Sequence, residues 1–127
     1  METIYLDTHI VVWLREKELS KFSTNAIEGI ENATKLFISP IVKLELKYLY
    51  EIGRIIDTPN NIIGDLNDMI DLTIDDIDFY SVVKKSLSLE WTRDPFDRLI
   101  VANTMARNST LITKDEKIIS NFKDTLW

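Results

Sequence analysis

Three short apolar runs, each passing directly into a residue suited to start a helix, constrain this chain more than any other feature. Ile4-Tyr5-Leu6 leads into Asp7-Thr8-His9 and then Ile10 to Leu14, Leu36-Phe37-Ile38 leads into Ser39-Pro40, and Thr110-Leu111-Ile112-Thr113 leads into Lys114-Asp115. Such runs are too brief for helices of their own, and their branched and aromatic residues suit buried strands. Strands that alternate with helices imply a largely parallel sheet covered on both faces. The expected fold is an α/β domain of three layers, a central and mostly parallel sheet of about five short strands flanked by helices. At 127 residues the chain fits one such domain, 1–127, with one core of ordinary size.

The helices read between these strands. Ser23 or Thr24 caps a segment with Ala26, Ile27, Ile30 and Ala33 at helical spacing. Ser39 caps the next helix, Pro40 takes its first position, and Gly53 stops it after about Ile52, with Ile41, Leu44, Glu45, Tyr48 and Leu49 on one face. Thr58-Pro59 opens a helix whose buried stripe is Ile62, Ile63, Leu66, Met69 and Ile70. Asp71 to Ile74 alternates like a strand, Asp75 or Asp76 begins a helix to about Leu89, and Asp94-Pro95 starts another through Ala106. The chain closes with a short helix, Glu116 to Asn121, and an extended Thr125-Leu126-Trp127.

Composition narrows the function classes. There is no cysteine, which excludes disulfides, thiolate metal sites and cysteine nucleophiles. No apolar run approaches the roughly 18 residues of a membrane span, and METIYLD carries no signal-peptide pattern, so a cytoplasmic location is expected. The net charge of -6 argues against binding nucleic acid through bulk electrostatics. Acids gathered in one pocket, however, leave the remaining surface closer to neutral. Asp65, Asp68, Asp71, Asp75, Asp76 and Asp78 follow no common stripe and read as caps and a solvated face.

Four other acids fall at strand ends or helix starts: Asp7, Glu45, Asp97 and Asp115, with Asp94 beside them. Each has a bland reading, as a helix cap or, for Glu45, as a long side chain reaching water. In a parallel sheet, though, all these positions share the carboxyl edge, where open α/β folds bind ligands. Convergence then has an energetic consequence, since two charges ~4 Å apart repel by about 4 kcal/mol at an effective dielectric of 20. Protons or divalent cations must offset that. An all-oxygen site suits Mg²⁺ or Mn²⁺, whose chemistry is water activation and in-line displacement at phosphorus.

The set TIYLDTH, SPIVKLEL, RDPFDRLIVANTMA and TLITKDEKI resembles the PIN-domain ribonucleases, in particular the VapC-like toxins of type II toxin–antitoxin pairs, from Ile4 to Trp127. The resemblance implies a PIN fold, RNA cleavage with Mg²⁺ or Mn²⁺, and neutralisation by a cognate antitoxin in an assembly that includes a toxin homodimer. Carried over by motif, Asp7, Glu45, Asp97 and Asp115 would be the catalytic, metal-holding acids. Asp94 is typical of the DPFDR branch, its role open between accessory acid and N-cap. Nothing in the stretch from Arg54 to Glu90 names a particular RNA.

Around the acids, Thr8, His9, Ser39 and Thr113 are placed to hold water or phosphate, with capping or packing as the plainer role. His9, the one histidine, is not needed as a base where a metal ion activates water. Arg93, Arg98, Lys43, Lys47 and Lys114 lie near the acid motifs and would guide phosphates, unless they are simply solvated. Trp13, Trp91, Trp127, Tyr48 and Tyr50 would stack bases, meet a partner or fill the core. Competing readings are a receiver-type phosphoacceptor domain, a non-catalytic PIN binding module and a small-molecule phosphatase.

Overall fold

The structure, a computed structural model, describes residues 2–127. Five strands, β1 (Thr3–Leu6), β2 (Lys35–Ile38), β3 (Thr73–Ile74), β4 (Thr110–Ile112) and β5 (Thr125–Leu126), form one sheet in the order β3-β2-β1-β4-β5. Every pairing is parallel, with Ile4 opposite both Leu36 and Thr110. Among the described residues seven α-helices join them: α1 (Thr8–Arg15), α2 (Thr24–Asn32), α3 (Pro40–Glu51), α4 (Pro59–Ile70), α5 (Phe79–Ser86), α6 (Pro95–Ala106) and α7 (Glu116–Asn121). Ile4, Tyr5 and Leu6 are all buried, and successive strand residues point to opposite faces, so helices cover the central strand on both sides. Full burial of one Leu or Ile stabilises by roughly 1.5–3 kcal/mol, and β1, β2 and β4 each contribute to this one cluster. Gly29 lets α2 lie close on β5, because a Cβ there would stand 2.5 Å from Leu126 Cδ2.

The expected α/β architecture is present, and a receiver-type order of 2-1-3-4-5 is not. Three details differ from the sequence reading. On α3 the buried stripe is Val42, Leu46 and Leu49, while Leu44 is 56% exposed and Tyr48 also faces outward. Glu45 borders this stripe, so its carboxyl reaches the sheet edge along the flank of the helix. Met69 on α4 is likewise outside the core, which takes Ile62 and Leu66. Finally, Asp71 does not begin a strand but closes α4 in the left-handed conformation (φ 59°), and α5 starts only after Asp78, which caps it.

The late start of α5 has a cause. Asp75 is only 1% exposed and is drawn inward by Tyr5, by Asn103 Nδ2 at 2.9 Å and by Arg107, whose Nη2 donates at 2.7 Å. Burial pushes its carboxyl up, but the hydrogen bonds from Arg107, Tyr5, the Ile77 N–H and Asn103 hold it below the ordinary carboxylate range. This acid is therefore neither a cap nor a solvated charge. It ties β1, α6 and the β3–α5 loop together.

Candidate active site

The middle strand β1 is the switch point of the sheet, with β2 on one side and β4 on the other, and its carboxyl end opens onto a cavity of about 410 Å³. The sequence puts acids there through helix starts. Asp7 ends β1 and caps α1, its Oδ1 accepting from Thr8 N at 2.8 Å, and its own N–H donates to the Ile112 carbonyl at 3.1 Å, which keeps it beside β4. Asp115 caps α7 by accepting from Lys117 N and Ile118 N, and Asp94 caps α6 by accepting from Phe96 N and Asp97 N. Capping and convergence thus coincide: the bond to a helix N–H is what fixes each carboxyl at the edge.

Asp7, Glu45, Asp94, Asp97 and Asp115 all line this one cavity, with His9, Ile10, Trp13, Lys114 and Glu116 completing its wall. Two threonines connect them. Thr113 Oγ1 donates to Asp7 Oδ2 at 2.7 Å and accepts from Asp115 N at 3.0 Å, and Thr8 Oγ1 donates to Glu45 Oε1 at 2.6 Å. Among the described residues no Lys or Arg forms an ion pair with any of the five acids.

Burial and mutual repulsion show in the proton affinities. Burial pushes Asp7 up despite the bonds from Thr113 and Thr8, and burial with the charges of Asp7 and Asp94 pushes Glu45 up against its bond from Thr8. Asp97 is raised to about 7, first by burial and then by Asp7, Asp94, Asp115 and Glu45 together. That one carboxyl senses all four others, which is the clearest sign that they share a field. The donors are carboxylate and hydroxyl oxygens throughout, the set that suits a hard divalent cation. Among the described residues no three acids are already drawn together as a finished metal cluster.

The accessory residues divide. Thr8 and Thr113 orient the acids directly, as just described. Ser39 is buried and accepts from Ile41 N, so it starts α3 instead of touching the acids. Arg98 is spent on the fold, donating to the carbonyls of Ser86, Thr92 and Leu87, and Arg93 is exposed and outside the cavity wall. His9 lines the cavity with its ring 6.3 Å from that of Trp13. Glu116, a further acid in the wall, went unread, although its position directly after Asp115 was a signal.

Comparison with known proteins gives the family and the fold. The sequence matches the PIN domain family over residues 4–124. Ribonuclease VapC22 of Mycobacterium tuberculosis is 29% identical over 123 residues, which span 95% of this chain and 93% of that protein. The fold is shared with VapBC2 from Rickettsia felis, solved bound to a DNA fragment from its promoter, at a TM-score of 0.63 and 23% identity over 98% of this chain and 99% of that one. DNA-bound VapBC from Salmonella typhimurium superposes at a TM-score of 0.66, with 16% identity over 98% and 96% of the two chains.

Proposed function

We propose that this chain, which belongs to the PIN-domain family, is a ribonuclease that holds Mg²⁺ or Mn²⁺ in its acid pocket, cuts RNA phosphodiester bonds, and serves as the toxin of a toxin–antitoxin pair. The observation that carries the reading is the gathering of Asp7, Glu45, Asp94, Asp97 and Asp115 around one cavity with no Lys or Arg among the described residues paired to them. A divalent ion bound there would activate water and stabilise the charge that develops at phosphorus.

The chain's own contribution is to prepare that pocket. Thr113 and the α1 N-terminus keep the Asp7 carboxyl fixed and turned toward the cavity, and Thr8 does the same for Glu45. Asp97, pushed up to about 7 by burial and then by its neighbours' charges, would give up its proton more readily if a bound cation offset those charges. Asp7, Glu45, Asp97 and Asp115 are therefore assigned as the metal-holding acids, with Asp94 mainly the cap that presents Asp97.

The toxin assignment is supported by the VapC22 relative and by neighbours solved as VapBC complexes. Exposed Leu44, Tyr48, Ile56, Phe79 and Tyr80 supply apolar surface for an antitoxin and for a second copy of the chain. Among the described residues no helix is long and apolar enough to cross a membrane, and the reading places the protein in the cytoplasm with its RNA. The test is to incubate the purified chain with single-stranded RNA, structured RNA, DNA and a simple phosphate ester, in Mg²⁺, in Mn²⁺ and in EDTA. RNA cleavage that needs the ion and disappears in Asp7→Asn is expected. Cleavage that persists in EDTA, or hydrolysis of the ester alone, would overturn the proposal.

A further inference from the structure

An acid pocket attracts cations but repels the phosphates of the substrate assigned to it. A polyanion crossing five carboxylates needs a positive group at the rim that the acids have not already consumed. Several basic residues are committed elsewhere, and Lys43, Lys47 and Arg93 stand outside the cavity wall. Arg15 pairs with Asp57 and Asp65, Arg107 with Asp75, and Arg98 binds three carbonyls, while Lys21, whose Nζ also stands 5.4 Å from the Trp13 centroid, pairs with Glu18 and lies outside the cavity wall.

Lys114 is different. It lies in the cavity wall between Thr113 and Asp115, and among the described residues it forms no ion pair although Asp115 and Glu116 follow it in the chain. Its Nζ instead stands 5.8 Å from the centroids of both Trp13 and Trp127. Those rings are 6.3 Å apart and are braced by Phe22, which lies 6.1 Å from Trp13 and 5.9 Å from Trp127. A cation held by ring faces keeps its N–H donors, because the attraction is to the π quadrupole and uses no acceptor atom. The aromatic pair therefore holds an ammonium in the wall of the pocket, unpaired with the carboxylates it would otherwise neutralise.

We propose that Lys114, seated on the Trp13 and Trp127 rings, is the cation that binds a backbone phosphate of single-stranded RNA as the strand crosses the acid pocket. The proposal rests on the ribonuclease reading and adds to it the residue that receives the strand. It is a positioning role, so the loss falls on substrate binding more than on turnover.

The experiment has two arms. Cleavage of a short single-stranded RNA by the wild-type chain and by Lys114→Ala gives KM and kcat. Anisotropy of a fluorescein-labelled RNA, in the Asp7→Asn background and over a range of salt, gives affinity and its salt slope. Lys114→Ala should raise KM and Kd about fivefold with kcat little changed, and reduce the slope of log K against log salt by about 0.7, the value of one phosphate contact on a single strand. Lys114→Arg should restore most of the affinity, and Trp127→Leu should weaken it where Trp127→Phe does not. Lys123→Ala, an exposed lysine outside the cavity wall, should change neither quantity. If the wild-type chain cuts RNA while Lys114→Ala keeps its KM and slope, or if Lys123→Ala lowers the slope equally, the Lys114 assignment falls and the ribonuclease reading stands. If the wild-type chain cuts no RNA with either metal, both fall.

Discussion

Two buried aspartates in this molecule meet opposite fates. Asp75 is 1% exposed and receives Arg107, Asn103 and Tyr5, and its carboxyl lies below the ordinary range. Asp7, 7% exposed, receives only a hydroxyl and a backbone N–H, and lies above it. The fold could have neutralised both in the same way, since buried charge is ordinarily paired. It does so where the acid holds elements together and refrains where four further carboxylates gather. Among the described residues no Lys or Arg pairs with these acids, and set against this internal control that supports the proposal of a pocket that takes its cation from solution.

The largest expected effect tests the unpaired member. Asp7→Asn keeps the cap, turns an amide N–H instead of an acceptor toward Thr113 Oγ1, and removes a charge, so RNA cleavage should fall by roughly 10²-fold or more, the scale on which catalytic groups and their supports act. The melting temperature in EDTA should rise, because a buried and repelled charge is gone. A wild-type cleavage rate, or a lower melting temperature, would break the contrast.

The paired member should respond in the reverse sense. Asp75→Ala strands the Tyr5 hydroxyl, the Asn103 amide and the Arg107 guanidinium, and Arg107 is partly exposed, so a loss of about 2–3 kcal/mol by urea denaturation is expected. Cleavage by the folded fraction should be unaffected. A stability change within about 0.5 kcal/mol would show that this network is ornamental.

The contrast also predicts two pH dependences of opposite sign. The folded chain keeps the Asp97 proton up to about pH 7, whereas an unfolded chain releases it near 4. The folded state then binds more protons across that window, so this group's contribution to stability is greatest below pH 4 and is lost as pH rises to 7. Solvent screens this half-buried carboxyl, which limits the loss to about 1–2 kcal/mol. Asp75, held low when folded, contributes stability that is present above pH 4 and fades as pH falls through its depressed value. Melting curves in EDTA should therefore flatten between pH 4 and 7 in Asp97→Asn and lose their acid limb in Asp75→Ala. Saturating Mg²⁺ should flatten the Asp97 limb in the wild-type chain as well.

The two aspartates were not equally legible. Asp7 follows a three-residue apolar run and precedes a helix, a purely local pattern, and Asp94, Asp97 and Asp115 carry the same kind of signal in DPFD and TKDE. A parallel sheet then brings them to one edge without further information. Asp75 sits among acids that look alike, and its partners lie 28, 32 and 70 residues away, a contact set that only the packed fold creates. The buried face of α3 is one position off the sequence pattern for a related reason: Leu44 and Tyr48 have helical spacing with Ile41, but which stripe turns inward depends on α4 and α6, which pack against it. Arg98 looked like a phosphate ligand because charge alone is visible in sequence, whereas its three carbonyl acceptors are not.

The smallest effect separates the two acids of the DPFD motif. Asp94 accepts from Phe96 N at 2.8 Å and from Asp97 N at 3.3 Å, so its carboxyl is already occupied by the helix it starts, while Asp97, three residues on, turns into the field of the other acids. If Asp94 serves chiefly as a cap, Asp94→Ala should cost about 1 kcal/mol and Asp94→Asn almost nothing, because asparagine caps as well as aspartate does. Cleavage should fall severalfold in Asp94→Ala through loosening of the Asp97 backbone, and should recover in Asp94→Asn. Asp97→Asn offers no such recovery, since what it removes is the charge itself. Rates and melting temperatures of the three variants, measured side by side in saturating Mg²⁺, decide the matter: an Asp94→Asn variant as inactive as Asp97→Asn would move Asp94 from the helix start into the group of acids that hold the ion.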